Sequence, residues 1–174
     1  MAGTKERILA AARELFAQQG VQKTSMRDIS ERLGITKPAL YYHFTSREDL
    51  VRSIVQPLIE GGLDLVARYE NAPRIEPREL LEAYFDYHYA HRDDLLLLFN
   101  ELATLAELGL VELVLGWRTR LMGLLVGPEP TLTEATGAVV ALGGLQDCTI
   151  QFRDIPADEL RDPAVNAAMA ALGL

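Results

Sequence analysis

The chain has 174 residues, 49% of them hydrophobic, and a formal net charge of −8. That is enough apolar material for one core or two small ones, and with no run of about 18 apolar residues a membrane-spanning helix is excluded. The single cysteine, Cys148, excludes an internal disulfide and a zinc site built on several cysteines.

In chain order, Ile8, Leu9, Ala12, Leu15 and Phe16 form one helical stripe, which Gly20 stops. Ser25 with Asp28 reads as a capping box that opens a second helix, with Met26, Ile29 and Leu33 inward and Gly34 at its end. Thr36 or Lys37 caps a third helix, with Pro38 in the first turn, where its missing N–H costs little. Leu40 and Phe44 point to the core. Ser46 with Asp49 is another capping box, and the fourth helix carries the stripe Leu50, Ile54, Leu58. Pro57 inside that stripe is expected to kink or break it. After Asn71-Ala72-Pro73 the texture changes. A helix is expected from Pro77 to about His91, another from Asp93 or Asp94, and a third from about Leu110 to Val126. Gly127 to Pro130 reads as a loop. Thr131 with Glu134 caps a long helix to about Phe152, and Pro156 opens a last segment that restarts at Asp162-Pro163 and ends near Leu172. No useful period-two alternation is present, so no sheet is expected.

The acidic net charge argues against nucleic acid until its distribution is considered. Residues 1–54 hold nine Lys+Arg and six Asp+Glu, a net +3, while the remainder holds eight and nineteen, a net −11. A basic head on an acidic body suits a molecule that docks one end on phosphate. The opening residues MAGTKERIL carry no apolar signal core, so a cytoplasmic location is expected.

The stretch from Thr24 to Leu50 reads as a helix-turn-helix. With Leu40 and Phe44 inward, Pro38 and Tyr42 of the third helix point away from the core. Ala39 and Tyr41 lie on its flanks, and Lys37 and His43 sit nearer the buried edge. An outward face of proline, tyrosine and alanine suits a major groove. There Tyr42 and Ala39 meet thymine methyls and Lys37 reaches guanine, unless the tyrosines pack on neighbouring helices instead. Arg27 is placed for a base edge or a phosphate, or for a surface ion pair with Glu31. Tyr41, His43 and Arg47 are candidate phosphate donors, and the helix starts at Ser25 and Thr36 complete the candidate DNA-binding set.

These residues carry a resemblance. Phe16, Gly20, Thr24, Asp28-Ile29-Ser30, Gly34-Ile35-Thr36, Leu40-Tyr41-Tyr42-His43-Phe44 and Arg47-Glu48-Asp49-Leu50 look like the DNA-binding domain of TetR-family transcriptional repressors, over roughly residues 5–52. Ser30 stands where alanine is usual. Lys37-Pro38 stand where a small or glycine-containing pair is common, a departure that bears on the bases read. The resemblance implies an all-α chain of about nine helices. Residues 1–50 would form a three-helix helix-turn-helix domain, with a fourth helix from about residue 46 bridging onward. Residues 51–174 would form a helical effector-binding and dimerisation domain.

It also implies a homodimer, a double-stranded DNA operator and a small-molecule effector of unknown identity. On this view Ala138, Ala141, Leu142, Gly144 and Leu145 are candidates for the dimer interface, with intramolecular packing as the alternative. Tyr84, Tyr87, His88, Phe99, Trp117, Met122, Gln146 and Phe152 are of the types that line a mainly apolar pocket with a few polar handles, although each taken alone is better explained as core and only a subset is expected to line a cavity. His88 and His91 share a helix face but lack a metal-site spacing, so no metal or cofactor is expected. Cys148 reads as an inert small hydrophobe. Two rivals remain: a DNA-binding regulator without a small-molecule effector, and a helical enzyme. The latter is disfavoured because no phosphate loop, G-x-S-x-G elbow or H-E-x-x-H motif occurs.

Overall fold

A computed structural model describes residues 3–95, 106–107 and 109–174, apart from the side chain of Val114. Among these residues there is no strand. Eight helices run in order: α1 (Thr4–Gln19), α2 (Met26–Leu33), α3 (Lys37–His43), α4 (Arg47–Glu70), α5 (Pro77–Ala90), α6 (Val111–Val126), α7 (Leu132–Gln151) and α8 (Ala157–Ala171). Residues 92–95 are helical as well.

Local chemistry sets most of the helix starts. Ser25 Oγ accepts from the Asp28 N–H at 3.2 Å, and the Asp28 carboxylate accepts from the Ser25 N–H at 2.8 Å. These bonds satisfy two donors that the first turn leaves open, and they hold the Asp28 carboxyl below the usual carboxylate range. Thr131 and Glu134 make the same reciprocal pair at α7. Thr36, rather than Lys37, caps α3. The box expected at α4 is half formed. Ser46 Oγ accepts from the Asp49 N–H, but the Asp49 carboxylate turns to the backbone N–H and hydroxyl of Thr45.

Both expected breaks are absent. α4 passes through Pro57 and α8 through Pro163 without interruption. A proline inside a helix forfeits one backbone hydrogen bond, about 3 kcal/mol with its steric cost. Burial on either side outweighs that here. Ile54, Val55, Leu58 and Ile59 flank Pro57 and are buried, as are Leu160, Ala164 and Val165 around Pro163.

The chain packs as two compact units that part at Leu58 and Ile59, within α4. The first holds residues 3–58 and the described residues of 94–111. In it α1 packs on α2 and α2 on α3, around buried Ile8, Ala12, Phe16, Ile29, Leu40 and Phe44. The Arg13 guanidinium grips the Asp94 carboxylate through two bonds of 2.6 and 3.2 Å.

In the second unit α5, α7 and α8 pack pairwise about Leu80, Leu81, Tyr84, Phe85, Leu142, Leu145 and Val165. Here the interface expectation is corrected. Ala138, Ala141, Leu142 and Leu145 are buried in the unit's own core, and only Gly144 of the five faces outward. The small residues of α7 serve close packing at home: a Cβ on Gly137 would run into the Ala171 carbonyl of α8.

Pro57 is exposed, so its replacement by alanine restores a hydrogen bond without removing a core contact. Pro57→Ala is expected to raise stability by about 1–3 kcal/mol, read as a higher urea midpoint. An unchanged or lower midpoint would mean that the ring itself packs usefully.

Candidate nucleic-acid interface

Helix α3 is positioned by the turn before it. Gly34 ends α2 in the left-handed conformation (φ 65°), which a β-carbon disfavours. The Gly34 N–H donates to the Glu31 carbonyl and the Ile35 N–H to the Ser30 carbonyl. The chain then enters α3 with Leu40 and Phe44 fully buried. Burying two such side chains contributes on the order of 1.5–3 kcal/mol each, which fixes the rotation of the helix. At about 100° per residue, Tyr42 must stand opposite both. It is 86% exposed, and its neighbour Tyr41 is 48% exposed. Thr36, Lys37, Pro38 and Ala39 are exposed on the same short helix, and half-buried His43 meets the Tyr42 ring edge-on at 5.2 Å.

The two candidate arginines differ. Arg27, exposed in the first turn of α2, pairs with Glu31 at 2.6 Å. A solvent-screened surface pair of this kind is weak and easily exchanged for a phosphate. Arg47 is engaged internally. It donates to the carbonyls of Val21 and Gln22 at 3.3 and 3.0 Å and to the Gln22 side-chain oxygen at 3.3 Å, latching the α1–α2 loop to the start of α4. Ser25 is exposed, with its hydroxyl spent on the cap.

Residues 8–54 match the family described as bacterial regulatory proteins, tetR family. The chain carries a TetR-family DNA-binding domain. Over 87 residues, 48% of the chain and 41% of the relative, it is 32% identical to the HTH-type transcriptional regulator TtgR of Pseudomonas putida. Over 81 residues, 45% of the chain and 38% of the relative, it is 37% identical to the HTH-type transcriptional repressor KstR2 of Mycobacterium tuberculosis. The matched stretch thus spans about two fifths of these curated relatives. A solved transcriptional regulator of the TetR/AcrR type from Aquifex aeolicus superposes with a TM-score of 0.76 at 25% identity, covering 97% of this chain and 99% of that one. The TetR-family regulator PfmR of Thermus thermophilus shares the fold at a TM-score of 0.73 and 23% identity, covering 95% and 97%.

In the second unit of this TetR-type fold, the pocket candidates divide. Tyr84, Tyr87, His88 and Trp117 come together as one aromatic cluster, with ring centroids between 4.0 and 5.9 Å apart. Met122 packs partly buried against the core beside them. Gln146 is half-buried on α7, Phe152 lies 49% exposed at the α7 C-terminus, away from any interior, and Phe99 falls outside the described residues. Two residues that sequence reading passed over hold the cluster in place, Gly61 and Gly62 of α4. A Cβ on Gly62 would come within 2.7 Å of the Trp117 ring, and one on Gly61 within 2.9 Å of the Tyr87 ring. An adjacent glycine pair inside a helical stripe was the available signal, since it marks close approach to backbone.

His88 Nδ1 lies 2.9 Å from the Tyr84 carbonyl. A carbonyl only accepts, so Nδ1 carries the proton and Nε2 is a bare acceptor. Nε2 and the Tyr84 hydroxyl are both buried with no hydrogen-bond partner among the described residues. Such orphaned groups cost about 1–3 kcal/mol each. Burial drives the His88 pKa down to about 3, Arg118 and His91 push the same way, and the bond to the Tyr84 carbonyl opposes them. The ring is therefore neutral.

This gives a pH signature. The unfolded chain protonates a histidine near pH 6.5, the folded chain only near 3. The contribution of neutral His88 is full above pH 6.5 and is lost as the pH falls towards 3. Relative to wild type, His88→Phe should gain stability on acidification by up to about 1.4 kcal/mol per pH unit across that window. Urea unfolding of both proteins from pH 7 to pH 4 reads this as a stability difference that moves steadily in favour of His88→Phe, and a constant difference would refute a neutral buried imidazole.

Proposed function

We propose that the chain is a sequence-specific DNA-binding transcriptional regulator of the TetR type. In this reading it acts in the cytoplasm as a homodimeric repressor, released from a palindromic operator when a small molecule binds its second unit. The observation that carries the reading is Tyr42, a large aromatic side chain 86% exposed on a helix whose opposite face is locked in the core. With Lys37, Pro38, Ala39 and Tyr41 it forms a surface of the chemistry that meets base edges and thymine methyls in a major groove. Arg27, Thr36 and His43 supply phosphate and flanking contacts, and Ser25 presents the N-terminus of α2 to the backbone. The net +3 of residues 1–54 supports a docking end.

Two such helices in a dimer would enter successive grooves about 34–36 Å apart, which requires a symmetric operator. The outer face of α7 suits the pairing: Val140 is 61% exposed, with Val139 and Gly144 beside it. An effector that favours one conformation of the dimer over the other would change operator affinity by a coupling of about 1–3 kcal/mol.

Selection of bound sites from random DNA tests the reading directly, and a palindromic enriched sequence is expected. On that sequence Tyr42→Ala should lose tenfold or more in affinity, about 1.4 kcal/mol, with the melting temperature little changed because the side chain is almost wholly exposed. Arg47→Ala should instead lower the melting temperature of the domain, because its carbonyl latch is lost. Unaltered DNA affinity in Tyr42→Ala would remove α3 from the groove. For the dimer, Val140→Glu should shift the mass in sedimentation to that of one chain. A stable dimer carrying a buried glutamate would move the interface off this face.

A further inference from the structure

We propose that the Tyr84 hydroxyl and His88 Nε2 form the polar anchor of a binding site for an uncharged, largely apolar molecule bearing a hydroxyl group. The inference rests on the effector reading above and gives that effector a chemical class. The two residues stand one turn apart on α5, with ring centroids 4.0 Å apart. Both side chains are buried, and both polar tips lack a partner among the described residues.

The hydrogen-bond roles are fixed by what each atom already does. His88 Nδ1 is committed to the Tyr84 carbonyl, so Nε2 offers only a lone pair and requires a donor. The Tyr84 hydroxyl has a proton to give and requires an acceptor. A ligand hydroxyl is both at one atom: its O–H donates to Nε2 while its oxygen accepts from Tyr84. A carboxylate would set its lone pairs against that of Nε2. An ammonium could donate to Nε2 but not accept from Tyr84, and it would lose its water in an interior with no buried carboxylate among the described residues. Among the described residues the nearest neighbours of the pair are aromatic rings, and Arg118, His91 and Asp147 act on it electrostatically. Tyr87 and Trp117 ring the pair, and α4 contributes a floor of bare backbone at Gly61 and Gly62, against which those two rings lie. Those rings favour a ligand whose bulk is hydrocarbon or aromatic.

Trp117 is the one tryptophan of the chain, so its emission reports on this site. The probes are 1-adamantanol, compact, and decan-1-ol, extended, against adamantane-1-carboxylate and 1-aminoadamantane, which keep the cage and change the head. Each is titrated into the full chain free of DNA, following Trp117 fluorescence and the melting temperature. At least one alcohol is expected to shift the emission saturably and raise the melting temperature, with the two charged cages at least tenfold weaker. Tyr84→Phe, which removes one oxygen and keeps the ring, should weaken the alcohol about fivefold to tenfold without lowering the melting temperature of the free protein. His88→Leu should do the same to binding. The proposal is overturned if neither alcohol binds, if a charged cage binds as tightly as its alcohol, or if Tyr84→Phe keeps wild-type affinity, as it would where the pair holds only a buried water. Failure of the regulator reading shows elsewhere: site selection would enrich no DNA sequence, whatever these probes do.

Discussion

The end of the molecule that carries α3 depends on the burial of two side chains, Leu40 and Phe44. A helix of seven residues is too short to hold itself, so its existence and its rotation are both imposed by tertiary packing. With those two side chains sealed in the core, the remaining surface of α3 has one possible composition, and Tyr42 becomes its most prominent feature. The devices around it serve the same placement. Gly34 supplies the left-handed turn, Thr36 caps the first residues, and Arg47 ties the preceding loop to the following helix through backbone carbonyls. Arg47 thus stabilises the platform on which the exposed residues of α3 are presented.

The second unit is organised by a different constraint, the burial of polar atoms among rings. Tyr69 resolves it by donating to the Glu79 carbonyl, and Tyr89 by donating to the Ile155 carbonyl. Tyr84 and His88 do not resolve it. The contrast matters because all four are aromatic polar residues of α4 and α5 in one fold. Two of the four are given a backbone carbonyl, and two are left without a partner among the described residues.

Local chemistry was legible in the sequence. Capping boxes at Ser25 and Thr131, the Gly34 turn and the outward direction of Tyr42 follow from residue type and helical spacing, and the structure reproduces each. The phase of α7 was not legible. Val139 and Val140 lie beside Ala138, Ala141 and Leu142, so apolar residues occupy both faces and periodicity alone does not say which is inward. Interface candidates therefore come from both faces, and Ala138, Ala141, Leu142 and Leu145 among them are buried within the unit. The prolines do not interrupt their helices for a related reason, since their cost is local while the burial that outweighs it comes from elements distant in sequence. Which aromatic residues cluster was likewise a tertiary matter, fixed by the close approach of Tyr87 and Trp117 to Gly61 and Gly62.

The uninterrupted passage of α4 through Pro57 has a mechanical consequence. Proline leaves the Ser53 carbonyl without its usual rung in the backbone ladder, and a helix bends most readily where a rung is absent. That gap lies within a residue or two of the point where one compact unit ends and the other begins. Any bending of α4 would therefore concentrate in this one turn.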